Sequence, residues 1–463
     1  MRLIDLFRPA LLASALSLGM ACLPAAANPF ETTLPNGLKV IVKEDHRAPT
    51  VTHMVWYRVG SLDETTGTTG VAHALEHMMF KGTQAHGPGE FNKLVAALGG
   101  QDNAFTTQDY TAYFQLAPRE RLPELMGLEA DRMANLVIDD ALFSKEIAVI
   151  KEERRWRTDD QPRSKAYEAL MGTVYHAHPY GRPVIGWMND LDNMTAQDLR
   201  DWYARWYGPN NATLIVVGDV EHAAVFKLAA DTYGKLSARP LPVRKPQGEA
   251  PQSGIRRVTV KAPAELPYLM LAWRAPSLNT IDAKQPAVRD ALALQVLAAV
   301  LDGYDGARLG RTLVRERKLA VSAGAGYDPI SRGQQSLFML EGVPSKGVSV
   351  AQLEAALRAE LDKIAKDGVR AAELARIKAQ LLASKVFSRD SNMGQAMQIG
   401  GLEMTGFSWR DEEALLDALR SVTPAEVQAA ARTLLGSDAL TIADLVPLPI
   451  DPNAPKTAPN FKY

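Results

Sequence analysis

His73-Ala74-Leu75-Glu76-His77 is the segment whose residue types and spacing point most directly to chemistry. On a helix, residues i and i+4 project from one face a turn apart, so His73 and His77 would present their imidazoles together. Two nitrogen ligands at that spacing suit one tetrahedral zinc. Glu76 follows His73 by three residues and can face the open coordination position without being a ligand, where it could take a proton from water. The order H-x-x-E-H is the inverse of H-E-x-x-H, the arrangement named for inverzincins. The bland alternative is a solvated helix with incidental histidines. Ala72, Leu75, Met78, Met79 and Phe80 oppose it, because they make the helix largely apolar. Buried imidazoles and a buried carboxylate need partners or a metal.

Two histidines do not close a metal site. A second expected helix carries Glu146 and Glu153, seven residues apart on nearly one face and interleaved with an apolar stripe. Glu152 points elsewhere, to solvent or an ion pair. Most glutamates are surface charges, and spacing alone does not choose between Glu146 and Glu153. Cysteine offers no alternative. Cys22 is the only one, and it lies in a leader expected to be removed, which excludes disulfides, thiolate catalysis and cysteine-held metal from the mature chain. His46, His53, His86 and His222 have no ligand spacing, and the loop at His176-Ala177-His178-Pro179-Tyr180 reads as structural.

The elements that must position these groups follow from pattern. Residues 38–45 and 52–61 suit strands, 70–80 and 89–98 helices, and 102–117 a strand pair. Helices dominate from about 119 to 207, and strands return near 255–274 and 319–342. Residues 239–254, rich in Pro, Gly and charge, read as a linker. The halves look like diverged copies: Thr195 with Asp198 and Thr423 with Glu426 each open a helix with a capping-box pattern, followed by a glycine turn and an apolar strand. The expected fold class is α+β, with two duplicated lobes at 28–238 and 255–446 and an extended Pro-rich tail at 447–463.

Residues 1–27 read as a secretory signal peptide: Arg2 and Arg8, an apolar run at 9–21, then Ala25-Ala26-Ala27. That run is too short to span a bilayer, and no later segment is long and apolar enough, so no membrane span and a periplasmic location are expected. With 463 residues and 46% apolar content the chain can build large cores. Its formal net charge of −1 leaves no electrostatic footprint for nucleic acid.

The stretch from Gly60-Ser-Leu-Asp-Glu to Gly70-Val-Ala-His-Ala-Leu-Glu-His-Met-Met-Phe-Lys-Gly-Thr83 resembles the signature of the M16 (pitrilysin-like) metallopeptidases, the group of insulin-degrading enzyme and mitochondrial processing peptidase. The resemblance covers essentially the whole mature chain. It implies lobes built from mainly antiparallel sheets packed with helices, one zinc ion per chain and cleavage of peptide substrates. It also implies Glu153 as third ligand, Glu146 supporting the site from behind, and Glu76 as general base. Gly99-Gly100 leading into Gln101–Thr106 resembles the family's edge strand for substrate, which makes Asn103, Ala104 and Phe105 candidate substrate contacts. The length fits the shorter subfamily, whose chains pair, as a homodimer or with a paralogue.

One stretch departs from the family. The second half has no histidine. Active relatives offer an Arg and a Tyr there for substrate, and the matching stretch is Arg315–Ser322, one residue short, with Val321 where the Tyr is expected. Arg315 is retained as a candidate substrate contact. Loss of one oxyanion-type donor costs on the order of 10² to 10³ in rate. The departure allows two other readings: a zinc-bearing subunit that needs a paralogous partner, and a non-catalytic assembly subunit of the same fold. A metal-delivery protein is disfavoured, since it needs no buried general base.

Overall fold

A computed structural model describes residues 28–451 except Ser437, without the side chains of Val386, Ser388 and Leu435. The expected signal peptide, residues 1–27, and residues 452–463 of the expected tail lie outside the described residues.

Strands form where β-branched and aromatic residues cluster. In the first lobe they are β1 (Phe30–Thr33), β2 (Lys39–Glu44), β3 (Thr50–Tyr57), β4 (Gln101–Thr106), β5 (Thr111–Pro118) and β6 (Ala212–Gly218). Its helices are α1 (Val71–Met78), α2 (Glu90–Ala97), α3 (Leu122–Asn135), α4 (Asp140–Arg154), α5 (Pro162–Val174), α6 (Met188–Asn193), α7 (Ala196–Trp206) and α8 (His222–Asp231). The second lobe has β7 (Arg256–Pro263), β8 (Tyr268–Ala275), β9 (Ala320–Gly326), β10 (Ser336–Pro344) and β11 (Leu440–Leu448). Its helices are α9 (Pro286–Asp302), α10 (Val350–Asp367), α11 (Ala371–Phe387), α12 (Asn392–Thr405), α13 (Glu412–Arg420) and α14 (Pro424–Leu435).

Sheet order repeats between lobes. The first sheet runs β1-β2-β6-β3-β5-β4 and the second β7-β11-β8-β10-β9, so without β1 the orders match strand for strand. Each sheet has one parallel pair, β2 with β6 and β7 with β11, and is otherwise antiparallel. The two capping boxes stand at equivalent places: Asp198 accepts from the Thr195 amide and Glu426 from the Thr423 amide, both at 2.8 Å, opening α7 and α14. β1 was not expected, since its four residues are short for a recognisable alternation. β11 runs two residues beyond the expected end of the second lobe, because Pro447 and Leu448 pair with Ala262 and Pro263.

One face of each sheet packs on its own lobe's helices. The other face is covered by a helix from the opposite lobe. Ala166, Leu170 and Val174 of α5 pack against Met270, Ala443 and Leu445 of the second sheet. Ala396, Ile399 and Met404 of α12 pack against Met54, Trp56, Ile215 and Val217 of the first. Gly400 permits this approach, since a Cβ there would lie 2.2 Å from Trp56 Cε2. Arg332 adds a polar latch. Its guanidinium meets Asp63 at 3.1 and 2.6 Å and donates to the Asp109 carbonyl at 2.8 Å. The linker runs without regular structure, and Glu249 in it accepts from the Ala177 and His178 amides at 2.8 and 2.9 Å. No helix among the described residues is long and apolar enough to cross a membrane.

Candidate metal centre

α1 starts at Gly70, whose φ of +88° only glycine adopts cheaply, and whose missing Cβ would stand 2.5 Å from the Ile185 carbonyl. A glycine cannot cap with a side chain. Glu64 does so from a distance: its buried carboxylate accepts from the Gly70 and Ala72 amides, both at 2.9 Å. Burial pushes this carboxyl up to about 8, against the pull of the two amide bonds. All eight residues of α1 are buried, His73, Glu76 and His77 included. α4 starts at Asp139, which accepts from the Ala141 and Leu142 amides, and buries Glu146 and Glu153 among Phe143, Ile147 and Ile150. It ends in a π-helical turn, Arg155–Asp159.

These two helices bring His73, His77 and Glu153 together, with one ligand atom from each all within 4.8 Å of one another. His77 Nε2 lies 3.2 Å and His73 Nε2 3.8 Å from Glu153 Oε2. Two atoms each ligating one tetrahedral zinc sit about 3.4 Å apart, so the spacing fits. Two imidazoles and one carboxylate, with no thiolate, form a donor set of the kind zinc accepts. His77 Nδ1 lies 2.9 Å from Glu146, which meets Lys81 Nζ at 2.8 Å, and Arg157 Nε meets Glu153 Oε1 at 2.9 Å. A carboxylate on the far ring nitrogen is the usual way to orient a ligating histidine.

Protonation follows the surroundings. Burial brings His73 down to about 3 with help from His77, so it is neutral and ready to ligate. Burial opposes charge on Glu153, but His77, His73 and Arg157 outweigh it and hold the carboxyl at about 2. Burial likewise opposes charge on His77, yet the bonds to Glu146 and Glu153 raise it. Glu76 lies outside the three-residue cluster and accepts a 2.5 Å hydrogen bond from Thr106. Burial raises its carboxyl above the usual range while the Thr106 bond opposes.

β4, which carries Asn103, Ala104 and Phe105, is the edge of its sheet and ends at Thr106 beside Glu76. These residues pair with Phe114, Tyr113 and Ala112 of β5, and no strand among the described residues pairs with the other edge. A cleft of about 660 Å³ joins His73, Thr106 and Arg157 of the first lobe to Tyr268, Met270 and Glu341 of the second. Arg315 is not brought there. It is exposed on the π-helical turn Gly310–Glu316, donates to the Asp305 carbonyl at 2.5 Å and does not line this cleft. Val321 is 56% exposed on β9. His178 is buried and accepts from the Tyr180 amide at 3.2 Å.

Sequence reasoning missed Glu64, Lys81, Thr106 and Arg157. Arg157 had a local signal, its i+4 spacing from Glu153. Thr106 and Glu64 had none, since both reach their partners through chain folding.

Comparison with known proteins places the chain in a family. The family model described as Insulinase (Peptidase family M16) matches residues 39–187, and the one described as Peptidase M16 inactive domain matches 193–381. The chain is 32% identical over 395 residues to the zinc protease PqqE of Helicobacter pylori, covering 84% of this chain and 85% of that one. It is 30% identical over 419 residues to an uncharacterized zinc protease of Mycobacterium tuberculosis, covering 89% and 92%. The crystal structure of a protease from Helicobacter pylori superposes with a TM-score of 0.84 at 28% identity, over 90% of this chain and 100% of that one. With two family domains in order and relatives similar over most of their length, this chain belongs to the M16 family of peptidases.

Proposed function

We propose that the chain is a zinc-dependent endopeptidase acting on peptides or unfolded polypeptide segments. The observation that carries this is the buried meeting of His73, His77 and Glu153 beside Glu76, at the end of an open strand edge. His73, His77 and Glu153 would hold one zinc ion, with Glu146 orienting His77. The ion, when bound, supplies a Lewis acid that polarises the scissile carbonyl and makes water a stronger acid. Glu76 takes the proton of the attacking water and passes it to the leaving amine. Its raised affinity for a proton suits that exchange, and Thr106 fixes one of its oxygens. Substrate lies along β4 as an added strand, paired with the backbone of Asn103, Ala104 and Phe105. The leader-like first 27 residues favour a periplasmic site of action.

Glu76→Gln should retain zinc at one per chain, read by elemental analysis, while peptide cleavage falls by about 10²- to 10⁴-fold. A zinc-loaded Gln variant that still turns over normally would remove Glu76 from this role. A second reading is favoured by Val321 and by the position of Arg315: a subunit that reaches full rate only with a second chain, a paralogue or another copy. A full rate from the isolated monomer, with no gain from co-purifying protein, would rule it out.

A further inference from the structure

Five charged side chains line the cleft beside His73: Arg157, Arg163, Arg182, Glu168 and Glu341. Four are engaged by the protein itself. Arg157 meets Glu153 at 2.9 Å, and Arg182 donates to the Glu64 carbonyl at 2.6 Å. Glu168 accepts two bonds from Arg154 at 2.9 and 3.0 Å, and Glu341 accepts from the Tyr268 hydroxyl. Arg163 differs. Among the described residues it has no hydrogen-bond or ion-pair partner, and its guanidinium carbon stands 4.8 Å from the centroid of the Tyr268 ring.

That contact spans the lobes, from the first turn of α5 to the first residue of β8. A cation–π contact of this kind uses none of the guanidinium's five N–H donors. The Tyr268 hydroxyl donates to Glu341, and donating to a carboxylate raises the electron density of the ring, making it a better seat for a cation. A planar fork of unspent donors matches a carboxylate in a bidentate pair. Neither carboxylate of the cleft wall, Glu168 or Glu341, pairs with Arg163, which leaves its donors open to a carboxylate brought by the substrate.

We propose that Arg163, seated on Tyr268, is a specificity-determining residue that binds an acidic side chain of the substrate close to the scissile bond. This rests on reading the cleft as a peptidase site. It names acidic peptide segments as the preferred class.

The test uses the full zinc-loaded chain and peptides blocked at both ends, identical but for a single Gln→Glu exchange moved along positions flanking the cleaved bond. At one position the wild type should cleave the Glu peptide about tenfold faster in kcat/KM than its Gln twin. Arg163→Gln should bring that ratio close to one, and Arg163→Glu should invert it. Arg163 is exposed, so both variants are expected to keep the wild-type melting temperature. The same peptides are titrated by fluorescence anisotropy against zinc-loaded Glu76→Gln with and without Arg163→Gln, which reads binding without turnover. Wild-type ratios near one at every position, or an Arg163→Gln ratio equal to the wild type's, would overturn the proposal. Acid-selective, Arg163-dependent binding with no cleavage by the wild type would uphold Arg163 as the acid-binding residue and defeat the peptidase reading instead.

Discussion

The two lobes share a strand order, a parallel pair and a capping box, yet only one holds a cluster of metal-ligating groups among the described residues. The difference sits on two pairs of helices. α1 buries two histidines and a glutamate, whereas α9, which also follows the second strand of its core sheet, buries Ala, Val and Leu at eleven positions. α4 buries Glu146 and Glu153, while α11 carries Glu373, which Arg308 holds with two bonds at 2.9 Å. One scaffold therefore tolerates both, provided each buried charge has a partner. In the first lobe the buried charges face one another across a three-residue cluster, and in the second the buried Glu373 is answered by an arginine.

That contrast can be tested by separating chemistry from packing. The largest effect on stability is expected at Gly400, where α12 meets Trp56 of the first sheet. Gly400→Ala should cost about 3 kcal/mol in urea unfolding, at the upper end for overpacking, because the ring it strikes is held in a core. Gly401 has nothing within 4 Å of an added Cβ, so Gly401→Ala should be neutral or stabilising by up to about 1 kcal/mol. Equal effects at the two positions would mean that α12 does not seat as described. Next comes Glu146→Gln, which removes the charge behind His77 and leaves the cluster of His73, His77 and Glu153 whole. Zinc affinity, measured by competition with a chromophoric chelator, should fall about 10- to 100-fold while unfolding changes little.

The smallest effect concerns pH and the two capping boxes. Burial opposes charge on Glu426, but Arg289 and the Thr423 bonds outweigh it and hold its carboxyl at about 2. A folded value below the unfolded one, about 4.3, stabilises fully above that value and is lost as pH falls from there towards 2. Glu426→Gln should thus lower the melting temperature at pH 7 by an amount worth about 1 kcal/mol. Its gap to the wild type should narrow progressively between about pH 4.3 and pH 2. Asp198→Asn should show a smaller gap, because Asp198 bonds Thr195 without an arginine like Arg289.

What could be read in advance was local. The i and i+4 histidines, the apolar flanks of α1 and the paired capping boxes all lie within a few turns of chain, where side-chain direction follows from helix period. The strand pair at β4 and β5 was legible from alternation. The role of Glu64 was not, because a carboxylate capping a helix from before the glycine turn depends on how that turn closes. Nor was the stacking of Arg163 on Tyr268, which joins residues more than a hundred positions apart. The choice between Glu146 and Glu153 needed the relative rotation of α1 and α4, a tertiary quantity; in the structure Glu153 faces both histidines and Glu146 the outer nitrogen of one.

The crossing of α5 and α12 ties the folding of one lobe to the other. Each helix leaves its own lobe to close the other's sheet, and the two do so reciprocally. That is the arrangement of a symmetric dimer whose subunits exchange a helix, with the copies joined end to end. Either lobe on its own would leave one apolar sheet face bare, so the two are expected to fold together and not singly.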